Sequence, residues 1–135
     1  MVSRLGGYRR GMTAEDSLDH LLSAIVAGDT AAVRAAYHPD ARIWHNFDQV
    51  EQTVDENLTT LSWFVRALPD RRYEDVVRHR IAGGVAQQHV VRGTTPDGSK
   101  VEMPACPFVW VGEDGLITRI EEYVDTGQAA ALMGG

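Results

Sequence analysis

The chain is poor in the features that most often announce a function. Its 135 residues include one cysteine, Cys106, which excludes an internal disulfide and fits a reducing cytoplasm. They include one lysine, Lys100, so nearly every basic side chain is an arginine. No Lys/Arg cluster suggests a phosphate track, and the net charge of -6 argues against a nucleic-acid partner. No apolar run approaches the ~20 residues of a membrane helix, so no membrane partner is expected. The histidines (His20, His38, His45, His79, His89) show neither H-x-x-x-H nor H-E-x-x-H spacing, and no resident metal is expected. There is no G-x-G-x-x-G and no P-loop, so no nucleotide cofactor is argued. Repeats, low-complexity tracts and linkers are missing too.

What remains is ordinary globular material. A hydrophobic content of 44% and a charged content of 24% fit one soluble domain with a single core. The first twelve residues carry Arg4, Arg9 and Arg10 among Gly6, Gly7 and Gly11, and they lack the apolar stretch of a signal peptide. They read as a loose leader (1–12), with Met12 a conceivable second start, ahead of one domain over 13–135.

Thr13-Ala-Glu-Asp16 has the form of a capping box. Leu18, Leu21, Leu22, Ile25 and Val26 follow at helical spacing, and Gly28 is a C-terminal cap. Asp29 or Thr30 opens a second helix, Ala31 to Tyr37, broken by His38-Pro39-Asp40. Ala41 to Phe47 reads as a short strand, and Thr53 to Ala67 as a third helix stopped before Pro69. Strands are then expected at Tyr73 to Ile81, Val85 to Thr94, Lys100 to Val111 and Leu116 to Asp125. Pro104 and Pro107 point to an edge or a bulge in the third of these. The Ala-rich tail, Gln128 to Met133, reads as a short helix. The sum is an α+β domain: helices on one face of a curved antiparallel sheet that ends in a four-stranded meander. In the last strand, alternation puts Glu122 on a face with Leu116, Thr118, Ile120 and Val124.

The element order, with Ala24-Ile-Val-Ala-Gly-Asp29, Tyr37-His-Pro-Asp-Ala41 and Gly115-Leu-Ile-Thr-Arg-Ile-Glu-Glu-Tyr-Val-Asp125, resembles the NTF2-like superfamily. Within it the chain is most similar to the SnoaL-like group, which includes ketosteroid isomerases, limonene-epoxide hydrolases and polyketide cyclases. The resemblance covers roughly residues 13 to 130. It implies a cone-shaped (cystatin-like) barrel around a deep apolar cavity roofed by three N-terminal helices. It also implies a homodimer formed through the outer sheet face. Since this fold hosts many chemistries, function has to be argued from the site.

On the epoxide-hydrolase pattern, Trp44-x-Asn46 stands where a Tyr-x-Asn pair holds the attacking water. His89, Val91 and Glu122 stand where that branch has Asp-Arg-Asp chemistry. Only one carboxylate survives, so epoxide opening by that route is not expected. The resemblance leaves a possible His89–Glu122 acid/base pair, with Asn46 as anchor for a water or a substrate oxygen. Trp44, Trp63, Met103, Phe108 and Ile120 are expected as cavity wall. His45 is a further candidate, although alternation turns it away from Trp44. His45, His89 and Glu122 could also meet in space as ligands. Cys106 has no activating base at fixed spacing and reads as a small buried residue. The expected activity is cofactor-free acid/base chemistry on a small hydrophobic molecule: isomerisation, cyclisation, dehydration or water addition. Scytalone-dehydratase-like chemistry suits the histidine content. The alternative is a non-catalytic module that binds a ligand in the same cavity, or merely dimerises.

Overall fold

The computed structural model describes residues 12–128 and Leu132. The expected leader and Ala-rich tail lie outside the described residues, apart from Met12, Gln128 and Leu132. Helix α1, Ala14–Ala27, starts at a full capping box. The Thr13 hydroxyl accepts from the Asp16 amide at 3.0 Å, and the Asp16 carboxylate accepts from the Thr13 amide at 3.1 Å. Gly28 ends the helix with φ of 71°, a left-handed conformation that glycine adopts without a Cβ penalty. Asp29 caps α2, Thr30–Ala36. Thr53 and Glu56 form a second capping box for α3, Val54–Ala67.

The strands are β1 Tyr37–His45, β2 Glu51–Gln52, β3 Arg72–Ile81, β4 Gly84–Thr94, β5 Lys100–Val111 and β6 Ile117–Val124. They form one sheet in the order β2-β1-β6-β5-β4-β3. Every neighbouring pair is antiparallel except β1 and β6, which run parallel. The sheet is therefore mixed, open-edged and curved, with three helices on one face. The core joins Leu18, Leu21 and Ile25 of α1, Val33 of α2 and Phe64 of α3 to Val85, Val109, Ile117 and Ile120 of the sheet.

Four details differ from the sequence reading. The sheet, expected to be antiparallel, is mixed, because β1 runs parallel to β6. Tyr37 opens a strand instead of closing a helix, because the chain extends straight through His38-Pro39-Asp40, with a register shift between Tyr37 and Arg42. The two-residue β2 is too short for a periodic signal and was not anticipated. Pro104 and Pro107 mark neither an edge nor a bulge against β4. β5 lies between β6 and β4, and its pairing keeps step on either side of Pro107, from Ala86↔Phe108 to His89↔Ala105. Each proline omits one ladder donor without shifting the register.

Arg71 ties the helices to the sheet. It is 6% exposed, and its guanidinium is held by backbone carbonyls. Its Nε donates to the Ile25 carbonyl at 2.8 Å and its Nη2 to Val26 at 2.9 Å, at the end of α1. Its Nη1 donates to Leu68 and Pro69, each at 3.2 Å, at the end of α3. Two helix C-termini, each the negative end of a helix dipole, share one guanidinium, which adds to the backbone amides that the Ile25 and Leu68 carbonyls already accept from.

Candidate active site

The helices and the inner sheet face enclose a cavity of about 160 Å³. Leu18, Leu21 and Ile25 of α1, Phe64 and Trp63 of α3, and Met103, Val109 and Ile120 of the sheet make its wall largely apolar. Trp63 is 37% exposed and stands at the rim, as does Phe47, an aromatic the sequence did not single out.

The polar groups at this wall are few. β1 lies directly beside β6, with His45 the register partner of Glu122. That pairing brings His45 Nε2 within 3.3 Å of Glu122 Oε1, with side chains 12% and 25% exposed. Burial works against a charged His45, but the hydrogen bond and the charge of Glu122 outweigh it, so its pKa lies above the usual histidine value. His89 also lines the cavity, from β4, but it is not paired with Glu122. β5 runs between their strands, and two strand spacings of ~4.8 Å keep the backbones about 10 Å apart. Its Nδ1 instead meets the amide nitrogen of Gln87 at 2.8 Å. Burial lowers the His89 pKa and the positive Arg78 adds to this, against the opposing pull of Glu122. Glu122, expected to pair with His89, is hydrogen-bonded to His45 instead.

Asn46 does not reach the cavity. Its Oδ1 accepts from the Val124 amide at 2.9 Å, its Nδ2 donates to the Val124 carbonyl at 3.4 Å, and its own amide donates to the Glu122 carbonyl at 3.1 Å. The side chain prolongs the β1–β6 ladder past the end of β1, where an anchor for substrate or water was expected. Trp44 and Phe108 are not wall residues either. Both stand on the outer sheet face, edge-on to Tyr123 with ring centroids 5.4 and 6.0 Å away. The reason is parity. His45 and Glu122 point inward, so Trp44 and Tyr123 must point out. Cys106, only half-buried, shares that outer side, and burial raises its thiol pKa.

Tyr37, Asn57 and Tyr73 also line the cavity, and no sequence signal had marked them. The buried Tyr37 hydroxyl donates to Asn57 Oδ1 at 2.9 Å. Asn57 in turn donates to Gln52 at 3.0 Å, and Gln52 to Thr60 at 2.9 Å. Burial, with the charge of Glu122, pushes both tyrosine pKa values far up, so these phenols are neutral. Among the described residues, no three His, Cys, Asp or Glu side chains group as metal ligands.

An open, curved sheet roofed by three helices defines an NTF2-like fold. The sequence matches the SnoaL-like domain over residues 18–120, most of the chain, and the protein belongs to that family. Solved structures share the fold. A candidate polyketide cyclase from Pseudomonas putida KT2440 is 24% identical, with a TM-score of 0.74 over 87% of this chain and 96% of its own. IdmH, a candidate polyketide cyclase from Streptomyces antibioticus, is 22% identical, with a TM-score of 0.77 over 90% and 99%. A candidate isomerase from Bacillus subtilis is 11% identical, with a TM-score of 0.76 over 90% and 93%. No curated protein sequence matches the chain.

Proposed function

We propose that the cavity binds a small hydrophobic molecule and that Glu122, backed by His45, moves a proton on it without a cofactor. The observation that carries this reading is the His45–Glu122 hydrogen bond at an otherwise mostly apolar wall. The carboxylate removes a proton from carbon and returns it elsewhere on the same molecule, the step common to isomerisation, cyclisation and dehydration. His45 fixes the orientation of the carboxyl group and, when protonated, stabilises its charged form. Family membership supports the reading, as does the fold shared with candidate cyclases and an isomerase. A volume of about 160 Å³ is close to the ~150 Å³ of apolar space known to take up benzene, and favours a molecule of about one ring.

Thermal-shift and native mass-spectrometric screens of one-ring ketones, terpenoids and aromatic polyketide fragments would identify ligands. With a substrate in hand, Glu122→Gln should lower turnover by at least ~10² while ligand affinity is kept. An unchanged rate would remove Glu122 from the mechanism and leave the cavity as a binding site only.

The same reading includes a homodimer. Trp44, Tyr123, Phe108 and Trp110 form a run of ring contacts across the outer faces of β1, β6 and β5. Tyr123 is 47% exposed there, and a second copy of this face would cover it.

A further inference from the structure

We propose that His89 is a neutral hydrogen-bond donor to an oxygen of the ligand, and that Gln87, locked by Arg78, is the positioning residue that makes it a donor. The inference rests on the reading of this cavity as the ligand site, and it adds a requirement on ligand chemistry.

Donors and acceptors around the ring fix its tautomer. A guanidinium can only donate. Arg78 Nε lies 2.5 Å from one end of the Gln87 amide, so that end is the carbonyl oxygen. Arg78 is itself held by Asp19 of α1, its Nη2 donating to Oδ1 at 2.6 Å. The other end of the amide, 2.8 Å from His89 Nδ1, is therefore the NH2 group. An amide nitrogen has no lone pair to offer, so Nδ1 must accept and carries no proton. The imidazole proton sits on Nε2. Gln87 is fully buried, at 0% exposure, and a flipped amide would set its NH2 against the guanidinium N–H. An imidazolium would set its Nδ1–H against the same NH2.

His89 is 3% exposed, and its Nε2 is the one buried side-chain nitrogen or oxygen without a hydrogen-bond partner among the described residues. Buried polar groups are nearly always paired, because leaving one unmet is costly. Here the unmet atom is an N–H, and its residue lines the cavity. Nε2 has almost no accessible surface, and the Tyr73 ring packs on the imidazole with centroids 4.9 Å apart, so the N–H meets a ligand acceptor only once the ligand shifts this cover. That acceptor is a carbonyl oxygen, or the enolate oxygen that develops when a proton leaves the neighbouring carbon. With β5 between their strands, His89 and Glu122 address different atoms of one molecule. The ligand class is thus a small ketone or enone, apolar elsewhere.

Two measurements on the full chain test this without reading turnover. In 15N-histidine-labelled protein, long-range 15N–1H correlations should show His89 protonated at Nε2 and bare at Nδ1. An Nδ1-protonated ring or an imidazolium at neutral pH would overturn the proposal. Gln87→Leu should mix the two tautomers; an unmixed Nε2–H ring in that variant would remove Gln87 from the positioning role. The second measurement compares phenylacetone with 2-methyl-3-phenylpropene, the same shape with CH2 in place of the carbonyl oxygen. Wild type should prefer the ketone by about tenfold in Kd, and His89→Phe should abolish the preference. Equal affinity in wild type, or a preference that survives in His89→Phe, would overturn the donor role. An inactive protein with the expected tautomer and preference would defeat only the catalytic reading. An active one with the wrong tautomer would defeat only this one.

Discussion

His45 and His89 line the same cavity, yet their surroundings push them in opposite directions. At His45 the hydrogen bond and charge of Glu122 overcome the burial penalty and raise the pKa. At His89 burial dominates, Arg78 adds to it, and the pKa falls. The consequences for stability have opposite signs. A folded pKa above the unfolded value of ~6.5 makes the His45 contribution complete below about pH 6.5. That contribution fades as pH climbs through the raised folded value. His89 contributes fully above about pH 6.5, and its contribution is lost as pH falls through its lowered folded value. Urea denaturation should therefore show His45→Gln costing more stability near pH ~5.5 than near pH ~9, and His89→Phe costing more near pH ~8 than near pH ~5. A cost independent of pH in both variants would contradict the assigned environments.

At the scale of elements, local signals were enough for most of the fold. Thr13 and Thr53 open helices because each is followed by a side chain that completes a capping box. Gly83-Gly84 and Thr95-Pro-Asp-Gly98 fall at the turns that join β3 to β4 and β4 to β5. The parallel pairing of β1 with β6 joins residues some eighty positions apart in sequence, and nothing local encodes it. That pairing makes His45 the partner of Glu122, so the carboxylate was legible in the sequence while its partner was not. Alternation did place Ile120, Glu122 and Val124 on one face, and all three line the cavity; it misses the start of β6. The β5–β6 register shifts between Trp110 and Val111, so Ile117 and Ile120 are both buried although they differ in parity. Alternation counted from Leu116 cannot show this. Arg71 was equally silent in the sequence, and it supplies a test at this scale. Arg71→Met keeps the bulk but takes the guanidinium donors from the carbonyls that end α1 and α3, of which Ile25 and Leu68 keep a backbone donor. Denaturant unfolding should show a loss of about 2–4 kcal/mol; a loss under ~0.5 kcal/mol would mean that those helix ends do not need the guanidinium.

For the molecule as a whole, the two faces of the sheet divide the work. The inner face carries the cavity and its His45–Glu122 pair, while the outer face carries the aromatic run that the proposed dimer covers. Tyr123→Glu should convert a dimer to a monomer in light scattering behind size exclusion. It should leave ligand affinity within about twofold, because Tyr123 points away from the cavity. A variant that stays dimeric would place the interface elsewhere. The fold hosts many chemistries, and the proposal made for this cavity is that Glu122 moves a proton there. Deuterium exchange at the carbon beside the carbonyl of phenylacetone, followed by NMR with wild type and Glu122→Gln at equal ligand occupancy, tests that claim most directly. Wild type should catalyse the exchange, and the substitution should slow it at least ~10². Equal exchange rates in the two proteins, or no catalysis by wild type of a ketone it binds, would contradict it.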